Sequence, residues 1–102
     1  MAMDAFLALA DPTRRRIVES LADGESPFGD LADQFEMSRP AVSQHLKVLR
    51  EAGLVAVRKD AQRCIYRLNP EGLGELDRWL DQVKRFWGPR LDDLERALEE
   101  PN

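Results

Sequence analysis

The chain has 102 residues, 43% of them hydrophobic and 33% charged, with formal net charge −4. That length suits one domain and is short for two. A single cysteine and a single histidine exclude an internal disulfide and a thiolate metal cluster, and no apolar run approaches the ~18–20 residues of a membrane-spanning helix.

The N-terminal stretch MAMDAFLALADPTRRR places its arginines after its apolar run, the reverse of a secretory signal, so a cytoplasmic protein is expected. Within it, MDAFLALA predicts a short apolar helix. In DPTRRRIVESLADG, Asp11 suits an N-cap and Pro12 the first helical position. Ile17, Val18 and Leu21 form the apolar face, and Gly24 suits a left-handed stop. SPFGDLADQF repeats the pattern: Ser26 and Pro27 predict a helix start, with Phe28, Leu31, Ala32 and Phe35 at helical spacing. After the short connection Glu36-Met37, Ser38 is expected to cap a helix over about 38–52. Pro40 falls in its first turn, Val42, Leu46 and Leu49 form its buried face, and Gly53 is its stop.

Beyond Gly53 the period changes from helical to alternating. LVAVRK and RCIYRL, joined around Asp60-Ala61-Gln62, predict a β-hairpin over about 54–68. Asn69-Pro70 opens a last helical region over about 70–100. Its apolar residues Leu73, Leu76, Leu80, Val83 and Trp87 alternate steps of three and four, a seam that calls for a partner helix. Gly88-Pro89 leaves two outcomes open, a kinked helix or two helices. The expected fold class is therefore mainly α with a small β-hairpin, a single winged helix-turn-helix unit over residues 1–102.

Charge is unevenly placed along this order. Residues 1–37 carry three Arg against eight acids (−5), residues 38–67 seven Lys/Arg against two (+5), and residues 68–102 five against nine (−4). Screening over roughly 8 Å lets a phosphate respond to the basic middle third instead of the acidic total. In a helix-turn-helix the second helix enters the major groove. Removing the core positions from the 38–52 helix leaves Arg39, Ser43 and Gln44 near its start as base readers, since Gln pairs with adenine and Arg with guanine. Lys47 and Arg50 are expected on phosphate, together with Ser38 and His45 and the hairpin residues Arg58, Lys59 and Arg63. Ala32 supplies the small residue where the two helices cross.

These blocks, ALADPTRRRIVESLADGE, then DLADQFEMSRPAVSQHLKVLREAGLV, then IYRL, resemble the ArsR-type family of bacterial transcriptional regulators over roughly residues 5–68. The tail LDRWLDQVKRFWGPRLDDLERAL is similar to the branch with a long aromatic C-terminal region. The resemblance implies a homodimeric, sequence-specific repressor on double-stranded DNA that releases an inverted-repeat operator when a signal binds. It also implies dimerisation through the first and last helices, which places Phe6, Leu7, Leu76, Trp79, Leu80, Val83 and Trp87 at the interface. Three departures bear on this. Pro27 and Gly29 stand where the metal-sensing branch has its Cys-x-Cys pair, and the tail has no histidine, so neither family metal site carries over and no metal or cofactor is expected. The helix-turn-helix turn has Glu36, and the hairpin tip Ala61, where glycine is common.

Several residues admit a plainer role. Packing or a phosphate contact is favoured for His45 over pH sensing, and apolar filling for Cys64 over redox chemistry. Trp79, Phe86 and Trp87 read as core or dimer contacts before an effector pocket. Asp77, Asp81, Asp92 and Asp93 read as a solvated face before metal ligands. Arg14, Arg15 and Arg16 either touch DNA backbone or pair with nearby acids. A winged-helix module that binds protein instead of DNA is the second functional reading, which a DNA titration separates. An enzyme is not expected: one His, one Cys and scattered carboxylates make no catalytic constellation.

Overall fold

A computed structural model describes residues 2–99. The elements run α1 (Ala2–Leu9), α2 (Pro12–Ala22), β1 (Ser26–Pro27), α3 (Phe28–Ala32), α4 (Arg39–Glu51), β2 (Val55–Asp60), β3 (Arg63–Leu68) and α5 (Pro70–Glu99). The strands form one antiparallel sheet in the order β1-β3-β2.

The helix starts follow local chemistry. Asp11 accepts the Arg14 N–H at 3.0 Å with Pro12 beginning α2, and Ser38 Oγ accepts the Ala41 N–H at 3.2 Å to begin α4. The end of α4 is a two-bond Schellman cap: Gly53 N–H donates to Arg50 O (2.9 Å) and Leu54 N–H to Leu49 O (3.0 Å). Gly53 takes φ +80° to allow this, and the accompanying apolar pair, Leu49 and Leu54, is fully buried.

Ser26 and Pro27 differ from expectation. They do not open a helix; they form the edge strand β1, with Ser26 opposite Tyr66 and Pro27 opposite Ile65. Proline suits an edge strand because the missing N–H need not join a ladder. The wing is thus one edge of a three-stranded sheet. The α3 helix is correspondingly short, and Gln34 and Phe35 N–H groups bond three residues back to finish it in a tight turn. Phe35 is still buried with Leu31 and Ala32.

The core gathers Ile17 and Leu21 of α2, Leu31 of α3, Val42, Leu46 and Leu49 of α4, Leu54, Val55 and Tyr66. Leu73 and Leu76 at the start of α5 pack against it. Beyond them α5 leaves the body. It is a single element of 30 residues with Pro89 inside, so of the two outcomes left open at Gly88-Pro89 the split into two helices does not occur. Pro89 withholds one helical N–H in a part of α5 that is exposed, where a carbonyl left without it is open to solvent. The neighbouring Phe86 carbonyl accepts the Arg90 guanidinium at 2.6 Å. A 30-residue helix is about 45 Å long, which accounts for the molecule's 65 × 28 × 21 Å extents.

Candidate nucleic-acid interface

The surface of interest begins on α4, whose face is fixed by what it buries. Val42, Leu46 and Leu49 have no exposed surface. At about 100° per residue, the side opposite them belongs to Pro40, Gln44, Lys47 and, at the last turn, Glu51. Arg39, Ser43 and Arg50 fall on one flank and His45 on the other. All of these except His45 are exposed.

The neighbours identify each flank. Ser43 lines a cleft of about 480 Å³ with Phe28 of α3 and Gln62, Arg63, Cys64 and Tyr66 of the hairpin, so its flank faces the wing. His45 sits with Nδ1 3.4 Å from Arg14 Nη1 and 4.0 Å from Asp11 Oδ2, so its flank faces the start of α2. The structure thus places Arg39, Ser43, Gln44, Lys47 and Arg50 on one continuous exposed surface. Ser38 stands at its edge as the cap. His45 is turned away from that surface and ties α4 to α2. The Arg14 N–H bond holds the Asp11 carboxyl below its ordinary pKa, against a smaller opposing push from burial.

The wing extends this surface. Strand register puts Val55, Val57 and Lys59 on one sheet face with Cys64, Tyr66 and Leu68, and Arg58 on the other face opposite Ile65. Val55 and Tyr66 belong to the core, and burial pushes the Tyr66 phenol above its usual pKa. Arg58, Lys59 and Arg63 are exposed. The tip is the two-residue turn Ala61-Gln62. Ala61 adopts φ +57°, a left-handed conformation costing about 1 kcal/mol without glycine. Cys64 is half-buried along the cleft.

Several functional contacts had no sequence signal. Arg39 Nη2 lies 3.4 Å from Asp33, Arg63 Nη2 3.6 Å from Asp60, and Arg58 reaches across β3 to Glu25 at 2.5 Å. Arg14 and Arg15 donate to the α1-end carbonyls of Leu7, Ala8, Leu9 and Ala10, and Arg16 lies over the Phe35 ring at 5.0 Å. Arg14 and Arg15 therefore cap α1 and Arg16 packs on Phe35, with Arg15 and Arg16 still exposed. Helix-end carbonyls attract cations, and α1 carries no basic residue in its own last turn.

A second surface lies along α1 and α5. Phe6 meets Trp79 edge-on at 4.6 Å between ring centroids. Leu7, Trp79, Leu80 and Trp87 are exposed, Val83 is half-buried, and Leu76 is shared with the core. Among the described residues no three His, Cys, Asp or Glu converge where a metal would sit, and no helix is long and apolar enough to cross a membrane.

Chemically, the α4 and wing surface offers amide, hydroxyl and guanidinium donors on a helix held from behind, flanked by exposed cations. That combination matches base edges and phosphates. Comparison with known proteins points the same way. The model of the bacterial regulatory protein arsR family matches residues 11–57. The HTH-type transcriptional regulator Rv2034 of Mycobacterium tuberculosis is 54% identical over 93% of this chain and 86% of its own length. The transcriptional repressor SdpR of Bacillus subtilis is 35% identical over 76% of this chain and 86% of its own. Among solved structures, a possible transcriptional regulator for arsenical resistance is 46% identical, covers 95% of this chain and 98% of its own, and superposes with TM-score 0.78.

Proposed function

Since this chain belongs to the ArsR family of bacterial regulatory proteins and is a DNA-binding transcriptional regulator, we propose that it acts as a homodimeric repressor in the cytoplasm, each α4 reading one half of an inverted-repeat operator. The observation that carries this reading is the exposed α4 surface, locked from behind by Val42, Leu46 and Leu49 and continuous with the basic wing. The repressor role follows the relative named as one in Bacillus subtilis. The described residues 2–99 work as one winged-helix unit, and the relatives are named as transcriptional regulators.

The residues divide the work. Gln44, outermost and near the α4 start, reads a base; Arg39 and Ser43 read from the wing-side flank. Ser38, Lys47 and Arg50 hold phosphate, and Arg58, Lys59 and Arg63 follow the backbone beside the groove. His45 acts differently, keeping α4 seated on α2. Two α4 helices about 34–36 Å apart meet successive major grooves on one side of the duplex. An arsenical signal calls for grouped thiolates, and the chain's one cysteine does not fit it; no release step is derived through such a ligand.

Selection from a random DNA pool, followed by anisotropy titration of the selected duplex, tests the reading. Recovery of an inverted repeat bound at least 10³-fold more tightly than random duplex is expected. Equal affinity for both removes the sequence-specific role. Gln44→Ala is expected to cost about 1–3 kcal/mol on the selected site and relax preference at one base pair. Lys47→Ala should weaken all sequences alike. If the two variants behave identically, the division between base and phosphate contacts is wrong.

A further inference from the structure

The cations of the proposed DNA surface fall into two classes. Arg63 is paired locally with Asp60, three positions away in the hairpin, whereas Arg39 and Arg58 each have a more distant acid of the chain as partner, Asp33 just after α3 and Glu25 just before β1. Among the described residues, Lys47, Arg50 and Lys59 have no ion-pair partner within 4.0 Å. Neither acid is a sequence neighbour of its arginine: six positions separate Asp33 from Arg39, and 33 separate Glu25 from Arg58. The fold brings both pairs to the same surface, one at the start of the reading helix and one across the wing.

We propose that docking on DNA proceeds by ion-pair exchange, in which Arg39 leaves Asp33 and Arg58 leaves Glu25, so that these two acids are internal counter-ions that lower affinity and blunt its dependence on salt. The inference rests on the DNA surface proposed above. Both pairs are well hydrated, with side chains 46–72% exposed, a setting in which such pairs are held loosely enough to be traded.

The sign follows from counting ions. An unpaired cation that neutralises a phosphate frees a condensed counter-ion, contributing about −0.9 to the slope of log K against log salt. A cation that first leaves a carboxylate strands a negative charge beside the duplex. That carboxylate takes up a cation from solution, which offsets the one released. Lys47, Arg50 and Lys59 therefore contribute full increments to the slope, and Arg39 and Arg58 almost none. Glu25 must be vacated whatever the DNA sequence, because Arg58 follows the backbone, so that exchange lowers operator and random binding together; Arg39 reads a base and leaves Asp33 fully only on the operator.

The test is an anisotropy titration of a labelled operator duplex from about 50 to 300 mM salt. It compares the native protein with Glu25→Gln, Asp33→Asn and the double variant. Glu95→Gln, at the exposed far end of α5, supplies the same change in net charge as either single variant, away from the surface. The double variant is expected to bind about ten-fold more tightly at 100 mM, with a slope steeper by up to about 1.8. Glu95→Gln should leave the slope unchanged, and the ratio of operator to random affinity should not fall. Unchanged slopes in both single variants overturn the proposal, as does equal steepening in Glu95→Gln, which would make the effect one of total charge. Glu25 also straps the wing, so if Glu25→Gln melts early, Asp33→Asn alone decides. Native protein that binds no duplex would instead remove the DNA surface itself.

Discussion

Gly72→Ala is expected to destabilise the protein by about 3 kcal/mol, although alanine is the better helix former. A Cβ on Gly72 would stand 1.8 Å from the Gly53 carbonyl oxygen and 2.7 Å from its carbon. Both are backbone atoms of the Schellman cap that ends α4, and neither can rotate away. The same carbonyl accepts the Asn69 side-chain amide at 3.0 Å, so it is fixed from a second side. Helix propensity favours alanine by only about 1 kcal/mol, so the clash decides the sign. Gly74, two residues on, is the control. Its added Cβ would meet only Arg78 Nη1, at an ordinary 3.6 Å, and Gly74→Ala should stabilise by about 0.5–1 kcal/mol. Thermal melting reads both, since 1 kcal/mol shifts the midpoint of a chain this size by about 4–8 °C. A Gly72→Ala protein that melts at or above the native temperature would mean that the two helix ends do not meet as described.

If the chain dimerises along α5 as proposed, replacing Leu80 and Trp87 together by arginine is expected to leave the fold intact, abolish that proposed dimer and lower operator affinity at least about 100-fold. Leu73, Leu76, Leu80, Val83, Trp87, Leu91, Leu94 and Leu98 of α5 take seven steps of three or four, and at about 100° per residue they fall within one sector of about 80°, which Trp79 and Phe86 widen on one side. In the single chain that sector is open: Leu80 is 37% exposed, Trp87 49% and Leu98 78%. Each such side chain gains about 1.5–3 kcal/mol when fully covered, which is the driving force for a second copy to cover it. Two charges in the middle of the sector replace that gain with a desolvation cost. Because neither residue belongs to the core, the monomer should melt normally. Sedimentation equilibrium beside anisotropy distinguishes the outcomes. A variant that remains dimeric places the interface elsewhere.

What was legible in the sequence depended on the range of the interaction. Caps and stops are decided within five residues, and Asp11, Ser38 and Gly53 act where the local pattern puts them. The buried triplet of α4 followed from its period. Strand β1 did not: two residues have no period, and Ser-Pro is an equally good helix opening until Tyr66 and Ile65 arrive beside it. Pro89 was legible as a strain on α5 but not in its outcome, which depends on the helix being exposed where the N–H is missing. At the candidate site, the sequence identified the exposed cations but not their partners. Which flank of α4 holds His45 depends on where α2 and the wing sit, and the pairing of Arg58 with Glu25 depends on the sheet order.

The meeting of Gly53, Asn69 and Gly72 has a mechanical meaning as well as an energetic one. With one carbonyl gripped by an amide and overlaid by a residue lacking a side chain, the end of α4 and the beginning of α5 form a welded corner. The short reading helix and the long exposed one then turn as a single rigid piece. In a pair of chains joined along α5, the separation and tilt of the two reading helices would be set by how the long helices cross, much as the gap of a caliper is set at its pivot.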